Sequence, residues 1–453
     1  MKVTEMKKVL IIARAFPPFL SVGHSIRAVK FTKYLPALDW LPVVLTIKDD
    51  NDYETINKVG SESMLQEIPP EVKVIRTTAG EPSVKFLEDE RRFAQRNILT
   101  ALIVKVFGAG RRWALRTLLL PDRHLAWLPF ALQRGRQIVR SEDIDVIFAT
   151  CPPHSATIVG AFLKVLTQKP LILDYRDDWI DTPWYKSRRK LRRMLEKGLE
   201  RWVVKMADKV ILVTEWSQKA FQARYPGEPS DKFILIPNGV DLKDFEGIRT
   251  TPALVKDSKF TILHTGSLND STAWARSPDA LFQAVHNIIQ EQPELAEELE
   301  VVFAGDFPSG HRQLAEECSI SSIVKGTGHL SHNDVLRLIK SANLLLAINY
   351  EGFATLIPGK IYEYWAAGGP PILLLSCPGA AADFIEQRKL GITVDPSDIA
   401  GIKNAILNVY QQAISNASLC ISPAGIEAYD RQALTHKLAK VLSLVSDHNS
   451  GNN

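Results

Sequence analysis

The chain has 453 residues, 45% of them hydrophobic and 23% charged, with a formal net charge of +4 at neutral pH. That length exceeds what one hydrophobic core usually serves, so two domains are expected, and the composition excludes a largely disordered or fibrous chain. The charge is too mild to indicate a nucleic-acid partner, and the four cysteines, Cys151, Cys318, Cys377 and Cys420, show neither a CxxC pair nor Cys/His ligand spacing, which argues against a disulfide framework or a zinc site.

The residues from Met1 to Arg14 hold an apolar run too short for a signal peptide and cut by Arg14, so Val9-Leu-Ile-Ile12 reads as a first strand. No run of about 18 apolar residues lacks a charge or a Gly/Pro break, so no spanning helix is expected. With free cysteines, this suggests a cytoplasmic protein.

Short β-branched runs then alternate with helical patterns: Leu41 to Ile47, Asp145 to Ala149, Leu171 to Leu173 and Lys209 to Val213. The alternation predicts βαβ units and a parallel sheet. After the turn-rich stretch Ile236-Pro-Asn-Gly-Val-Asp-Leu242 comes a second series: Phe260 to His264, Leu299 to Ala304, Ile323-Val324, Leu344 to Ile348, Pro371 to Leu375 and Gly391 to Val394. Two doubly wound α/β domains are therefore expected, an N-terminal one over 1–242 and a C-terminal one over 243–424, facing each other across a cleft. A helix over 425–446, apolar at 434, 438, 441, 442 and 445, is expected to cross back to the first domain, with a disordered tail over 447–453.

In such sheets ligands bind outside the carboxyl ends of the strands, so the loops after the strands are where chemistry is sought. The first is Phe16-Pro-Pro-Phe-Leu-Ser-Val-Gly-His-Ser25, which is not GxGxxG and so argues against a dinucleotide dehydrogenase. Gly23 is its candidate anion contact; His24 is a second, though it could equally cap the next helix. His154, in Thr150-Cys-Pro-Pro-His-Ser155, tops the strand ending at Ala149, as a functional group or as a loop histidine fixed by the prolines. In Asp174-Tyr-Arg-Asp-Asp-Trp179, Arg176 and Asp177 are candidates for the acceptor side; an Asp–Arg pair that merely fixes the loop is the competing reading.

In the second series, Gly266 would let the backbone approach an anion, with Ser267 beside it and Arg276 able to reach a diphosphate; an ordinary turn with a surface arginine is the alternative. Gly305-Asp306 and Gly326-Thr-Gly-His-Leu330 top the next strands. The densest pattern is Pro358-Gly-Lys-Ile-Tyr-Glu-Tyr364, closed by Gly368-Gly369-Pro370. Proline suits a first helical position and the glycines stop the helix. Lys360 and Glu363 then share one face of its first turns. Unpaired N–H groups and a lysine make a place for a diphosphate, and the glutamate can accept from ribose hydroxyls. A solvent-exposed salt bridge between the two is the plainer alternative.

Taken in order, Phe16-Pro-Pro18 with Gly23, Pro152-Pro-His-Ser155, Asp174 to Trp179, Pro237-Asn-Gly-Val-Asp241, Gly266-Ser-Leu268, Ala304-Gly-Asp306 and the Lys360 motif resemble the retaining glycosyltransferases of family four, which have the two-domain GT-B fold. The resemblance covers nearly the whole chain, and is strongest to the subgroup reading P-x-K-x-x-E-Y followed by A-A-G-x-P, matched here by Pro358 to Tyr364 and Ala366-Ala-Gly368. It implies a nucleotide-diphosphate sugar donor, a UDP-sugar, and a cell-surface glycan, glycolipid or other lipid-linked acceptor, with retention at the anomeric carbon. It further implies that His154, Lys360 and Glu363 are catalytic and that Gly23, Gly266, Ser267, Arg276 and Gly305 bind the donor with them. No cofactor is implied, and because cationic groups and helix amides already neutralise the diphosphate and no DxD motif sits where a metal would bridge it, metal independence is expected. Many members carry a glutamate eight positions before the one matched by Glu363; this chain has Thr355 there, with Glu351 nearby as a substitute. A nucleotide-sugar epimerase of the same fold and a non-catalytic sugar-nucleotide-binding protein are the rival readings.

Two segments, 91–116 and 186–205, interleave arginines and lysines with apolar residues, in the latter at 191, 194, 195, 199, 202 and 203. Such a helix can lie on anionic lipid, so peripheral contact with the inner face of the plasma membrane is expected; a charged face over an ordinary core stripe is the alternative.

Overall fold

The computed structural model describes residues 6–18, 26–48, 61–79, 120–180, 182–186, 188–248, 259–266, 268, 277–349, 352–415 and 420–450. The chain divides into two compact units. Unit 1 comprises Met1–Val213, Gln218–Ile236 and Gln432–Asn453, and unit 2 comprises Thr214–Ser217 and Pro237–Arg431.

Unit 1 is built on a parallel sheet of β1 (Lys7–Ile12), β2 (Trp40–Ile47), β3 (Lys73–Thr77), β4 (Val146–Cys151), β5 (Leu171–Tyr175), β6 (Lys209–Leu212) and β7 (Phe233–Leu235), in the order β3-β2-β1-β4-β5-β6-β7. Strands buried on both faces read as continuous apolar runs, and β1 shows why. Leu10 and Ile12 join the core on one face with Val43, Ile147 and Leu173, while Val9 and Ile11 point to the other with Val44, Phe148 and Ile172. The register pairs Ile12 with Ala149 and Thr150 with Asp174, so the loops after β1, β4 and β5 leave the same edge. Among the helices are α1 (Ile26–Tyr34), α2 (Ser155–Thr167) and α3 (Lys190–Met206).

Unit 2 repeats the plan with β8 (Phe260–Thr265), β9 (Leu299–Ala304), β10 (Val324–Gly326), β11 (Leu344–Ile348), β12 (Ile372–Leu375) and β13 (Gly391–Val394), all parallel, in the order β10-β9-β8-β11-β12-β13. The chain reverses its strand order at β8 and β11, where an open α/β sheet places its ligand crevice. The helix α4 (Gly359–Ala367) lies between β11 and β12 in sequence. Two doubly wound parallel sheets are what the alternating pattern predicted, and they are those of the GT-B fold that the family resemblance implies.

The closing helix runs over Arg431–Ser450, and its Leu434, Leu438, Val441, Leu442 and Val445 complete the unit 1 core against Val9, Ile11 and Trp40. It begins later than residue 425 because Gly425 is left-handed at φ 92° and Asp430 is extended, confining Ile426–Tyr429 to a single 3-10 turn. It also continues past residue 446, with Asp447 paired to Lys7 at 2.5 Å.

Candidate active site

In unit 2 the site grows from the start of α4. Pro358 is extended, at φ −56° and ψ 134°, so the first helical residue is Gly359, one position later than the proline itself. Ile361, Tyr362, Tyr364 and Trp365 bury one face, and left-handed Gly368 and Gly369, at φ 64° and 91°, end the helix. That leaves Lys360 and Glu363 half-buried on the remaining face.

Lys360 turns toward the end of β8. Its Nζ lies 2.9 Å from His264 Nε2 and donates to the Thr265 carbonyl. His264 is fully buried, and its Nδ1 lies 3.1 Å from the Leu346 carbonyl of β11. The Tyr364 hydroxyl accepts from the Thr265 N–H at 2.9 Å and donates to the same Leu346 carbonyl at 3.3 Å. Side chains of α4 are thus tied to the two central strands by polar contacts in an otherwise apolar layer, where each unmade bond would cost about 1–3 kcal/mol.

Gly266 directly follows Thr265 with φ 95°, and a Cβ there would stand 3.4 Å from Lys360 Nζ. A side chain would crowd the ammonium and strain the backbone, so the glycine keeps the approach to Lys360 open. Gly305, at φ 149°, follows β9, and the next residue, Asp306, pairs with His329 at 2.9 Å and accepts from the Leu268 N–H. Gly326 has a packing reason, because a Cβ would meet Phe307 at 2.8 Å.

Burial pushes the Glu363 carboxyl above the usual range, opposed by His332 and Lys360. Among the described residues Glu363 makes no hydrogen bond, so its oxygens remain acceptors. Thr355, where the family resemblance places a first glutamate, is braced through its backbone: its carbonyl accepts from Thr214 Oγ1 at 2.6 Å, and the neighbouring Ala354 carbonyl accepts from the Ala380 N–H at 2.7 Å.

In unit 1, His154 sits at the N-cap of α2 with its ring stacked on Trp179, centroids 5.2 Å apart. The first turn of α2 is already met by a carboxylate, since Asp122 accepts from the Ser155 N–H at 3.1 Å. Arg176 is buried and donates to the carbonyls of Cys151 at 3.0 Å and Pro152 at 2.7 Å, which holds the His154 loop from below. Asp174 of this motif has a buried partner outside it: it bonds Arg27 of α1, Nη2 to Oδ1 at 3.0 Å, and accepts from Thr150 Oγ1 at 2.8 Å. Asp177 lies beside Arg176, and burial pushes its carboxyl up to about 6.

The structure therefore gathers Gly266, Lys360 and Glu363 in unit 2 and His154, Arg176 and Asp177 in unit 1. Gly23, His24, Ser267, Arg276 and Glu351 lie outside the described residues, as does the segment 91–116. Among the described residues no cluster of three or more His, Cys, Asp or Glu is arranged to hold a metal ion. Sequence reasoning missed His264, Tyr364 and Arg27. The available signal for His264 was one imidazole closing the apolar run Phe260-Thr-Ile-Leu, where a buried polar ring demands partners.

Residues 88–244 match the model of "Glycosyltransferase Family 4" and residues 259–412 that of "Glycosyl transferases group 1", together more than two-thirds of the chain. A D-inositol 3-phosphate glycosyltransferase of Nocardioides sp. is 24% identical over 231 residues, 47% of this chain and 48% of that protein, so the match spans about half the length of the relative. Among solved structures, sucrose-phosphate synthase from Thermosynechococcus elongatus superposes with a TM-score of 0.64 at 15% identity over 97% of this chain and 99% of that one. WaaG, a glycosyltransferase involved in lipopolysaccharide biosynthesis, gives a TM-score of 0.56 at 16% identity, over 96% and 99%. At such identities the likeness is one of fold.

Proposed function

The chain belongs to the glycosyltransferases of family 4 and group 1, and from that premise we propose that it transfers a sugar from a nucleotide-diphosphate donor, a UDP-sugar, to a cell-surface glycan or lipid-linked acceptor with retention of configuration. The observation that carries the reading is Lys360, an ammonium fixed at the amino end of α4 and the carboxyl end of β8, with the acceptor-only Glu363 one turn further on. The ammonium and the positive amino-terminal end of α4 suit a diphosphate, and most so as it leaves with growing negative charge. Glu363 suits ribose hydroxyls. As the bond from the anomeric carbon to the phosphate oxygen opens, the acceptor oxygen bonds that carbon on the same face and its proton passes to the departing phosphate. Gly266, Ser267, Arg276 and Gly305 are assigned to the donor with Gly23, His154 to the chemistry, and His24, Arg176 and Asp177 to the acceptor.

A panel of UDP-, GDP- and ADP-sugars tests this by thermal stabilisation, since a ligand of the native state alone raises the melting temperature. A UDP-sugar should stabilise the protein and Lys360→Ala should abolish the response; an unchanged response in that variant refutes the phosphate assignment. Product should form only with acceptor present, and with chelator as well as without. Interconversion of the donor alone would favour an epimerase, and donor binding with no turnover a non-catalytic binding protein.

The acceptor class draws support from α3. Its buried side carries Val203 and Val204 together with two acids, the fully buried Glu196 and Glu200, clamped by Arg188 and Arg192 and by Arg224 and Tyr225. At 100° per residue the opposite side carries Leu191, Met194 and Leu195, which are 66%, 63% and 48% exposed. Exposed Lys190, Lys197, Arg201 and Lys205 flank this stripe. It continues through Trp202, 5.0 Å from the Phe162 ring, to exposed Val165 and Leu166 on α2. An outward apolar stripe edged by cations complements an anionic bilayer surface. Among the described residues no helix is long and apolar enough to cross a membrane. Leu191→Glu with Met194→Glu should cut partition onto phosphatidylglycerol vesicles by about tenfold or more while leaving the fold intact. Equal partition of variant and parent, or none by the parent, sinks this assignment.

A further inference from the structure

We infer that His264 is a positioning residue for Lys360, a fixed neutral imidazole that acts as the socket for the diphosphate-binding ammonium. The inference rests on the assignment of Lys360 to the diphosphate and adds a residue that takes no direct part in ligand contact.

The tautomer follows from the partners. His264 stands in β8, a central strand of its sheet, with no exposed surface. An imidazole so placed is tolerated only with its nitrogens satisfied. The Leu346 carbonyl, 3.1 Å from Nδ1, can only accept, so Nδ1 carries the hydrogen. Nε2 is then a bare acceptor, and the group 2.9 Å from it is the Lys360 ammonium, which can only donate. A protonated His264 would set two cations at that distance and offer Lys360 no acceptor.

Lysine is a flexible point charge with about 2 kcal/mol of rotamer entropy. Here two of its three N–H bonds are directed, one to His264 Nε2 and one to the Thr265 carbonyl, both on the strand that ends at Gly266. The open side of Gly266 is the side on which the ammonium stands, 3.4 Å from where a Cβ would be. Neither of these two acceptors carries a formal charge, so neither neutralises the ammonium as a carboxylate in its place would. The structural consequence is preorganisation, in which the ordering of Lys360 is complete before an anion arrives.

Side-chain length separates this role from core filling. An asparagine at position 264 places its amide where Nδ1 lies, keeping the bond to Leu346 but falling short of Lys360. A glutamine places its amide near Nε2 and can accept from Lys360, and methionine fills the volume with neither bond. The probes are UDP, GDP and ADP with uridine, guanosine and adenosine as controls, read by calorimetric affinity in the full chain. For the diphosphate that binds the parent, His264→Asn and His264→Met should each lose about tenfold in affinity and His264→Gln should recover most of it, with nucleoside affinity unchanged in all three. The Gln/Met comparison carries the test if the asparagine variant does not fold. If Lys360→Ala weakens diphosphate binding while His264→Met does not, His264 is a core residue and the inference fails alone. If Lys360→Ala has no effect, the diphosphate reading and the inference fail together.

Discussion

Asp174→Ala should be among the most damaging single changes in unit 1. The carboxylate is fully buried and accepts from Arg27 Nε at 3.1 Å, Arg27 Nη2 at 3.0 Å and Thr150 Oγ1 at 2.8 Å. Arg27 is only 2% exposed, donates also to the Ile236 carbonyl at 2.9 Å, and lies 4.8 Å from the Phe31 ring centre. Truncating the aspartate leaves a buried guanidinium without its counter-charge, a loss of about 3–5 kcal/mol. In a unit of this size 1 kcal/mol moves the melting temperature by about 2–4 °C, so its transition should fall by roughly 6–20 °C. The double variant Arg27→Met with Asp174→Leu removes both charges and restores apolar volume, and should lose far less than the sum of the single changes. Urea denaturation of the two single variants and the double, analysed as a cycle, measures the coupling. An Asp174→Ala variant within about 1 kcal/mol of the parent, or additive effects, would refute the argument that this pair braces the strand ends.

Gly266→Ala should cost about 1–2 kcal/mol, because φ 95° is unfavourable for an L residue, and should also weaken diphosphate binding through the methyl group beside Lys360; unchanged melting and affinity would contradict it. For Asp177 the native carboxyl titrates at about 6 against an ordinary 3.8, so between these values the native state holds a proton the unfolded chain has released. Stability contributed by this group therefore falls as pH rises through that window, and Asp177→Asn should remove a slope totalling on the order of 3 kcal/mol, read from melting temperature against pH. Glu363 has the same sign, since burial raises its carboxyl. Glu363→Gln should therefore stabilise unit 2 at neutral pH while weakening nucleoside affinity; undiminished affinity would argue against a ribose contact, and a lower melting temperature against the burial argument.

Much of this was legible in the chain. Parallel strands buried on both faces announce themselves as unbroken runs such as Val9-Leu-Ile-Ile12, and the Pro358 and Gly368 punctuation delimits α4 to within a residue. The position of Lys360 in an amino-terminal turn followed from the same signals. Its tether did not, because His264 precedes it by 96 positions and only the sheet order brings them together. The partner of Asp174 was illegible for the same reason, since Arg27 is 147 positions away. Local periodicity reports which face of an element is buried, but the partner of a buried charge is set by topology. On α3 even the face was ambiguous, since apolar residues at 191, 194 and 195 suggest an ordinary core stripe until Glu196 and Glu200 are seen to occupy the interior.

The closing helix has a consequence for how the protein is made. Leu434, Leu438 and Leu442 complete the core over β1 and β2, yet the 195 residues of Pro237–Arg431 are synthesised between them and the rest of that unit. At ribosomal rates of about 5–20 residues per second, the first sheet waits roughly 10–40 s for its last helix, whereas Pro237–Arg431 emerges without interruption. The first unit begun is therefore the last one finished. During that interval the apolar face of Val9, Ile11 and Val44 lacks its cover, which makes the nascent chain, rather than the finished protein, the species most in need of a chaperone.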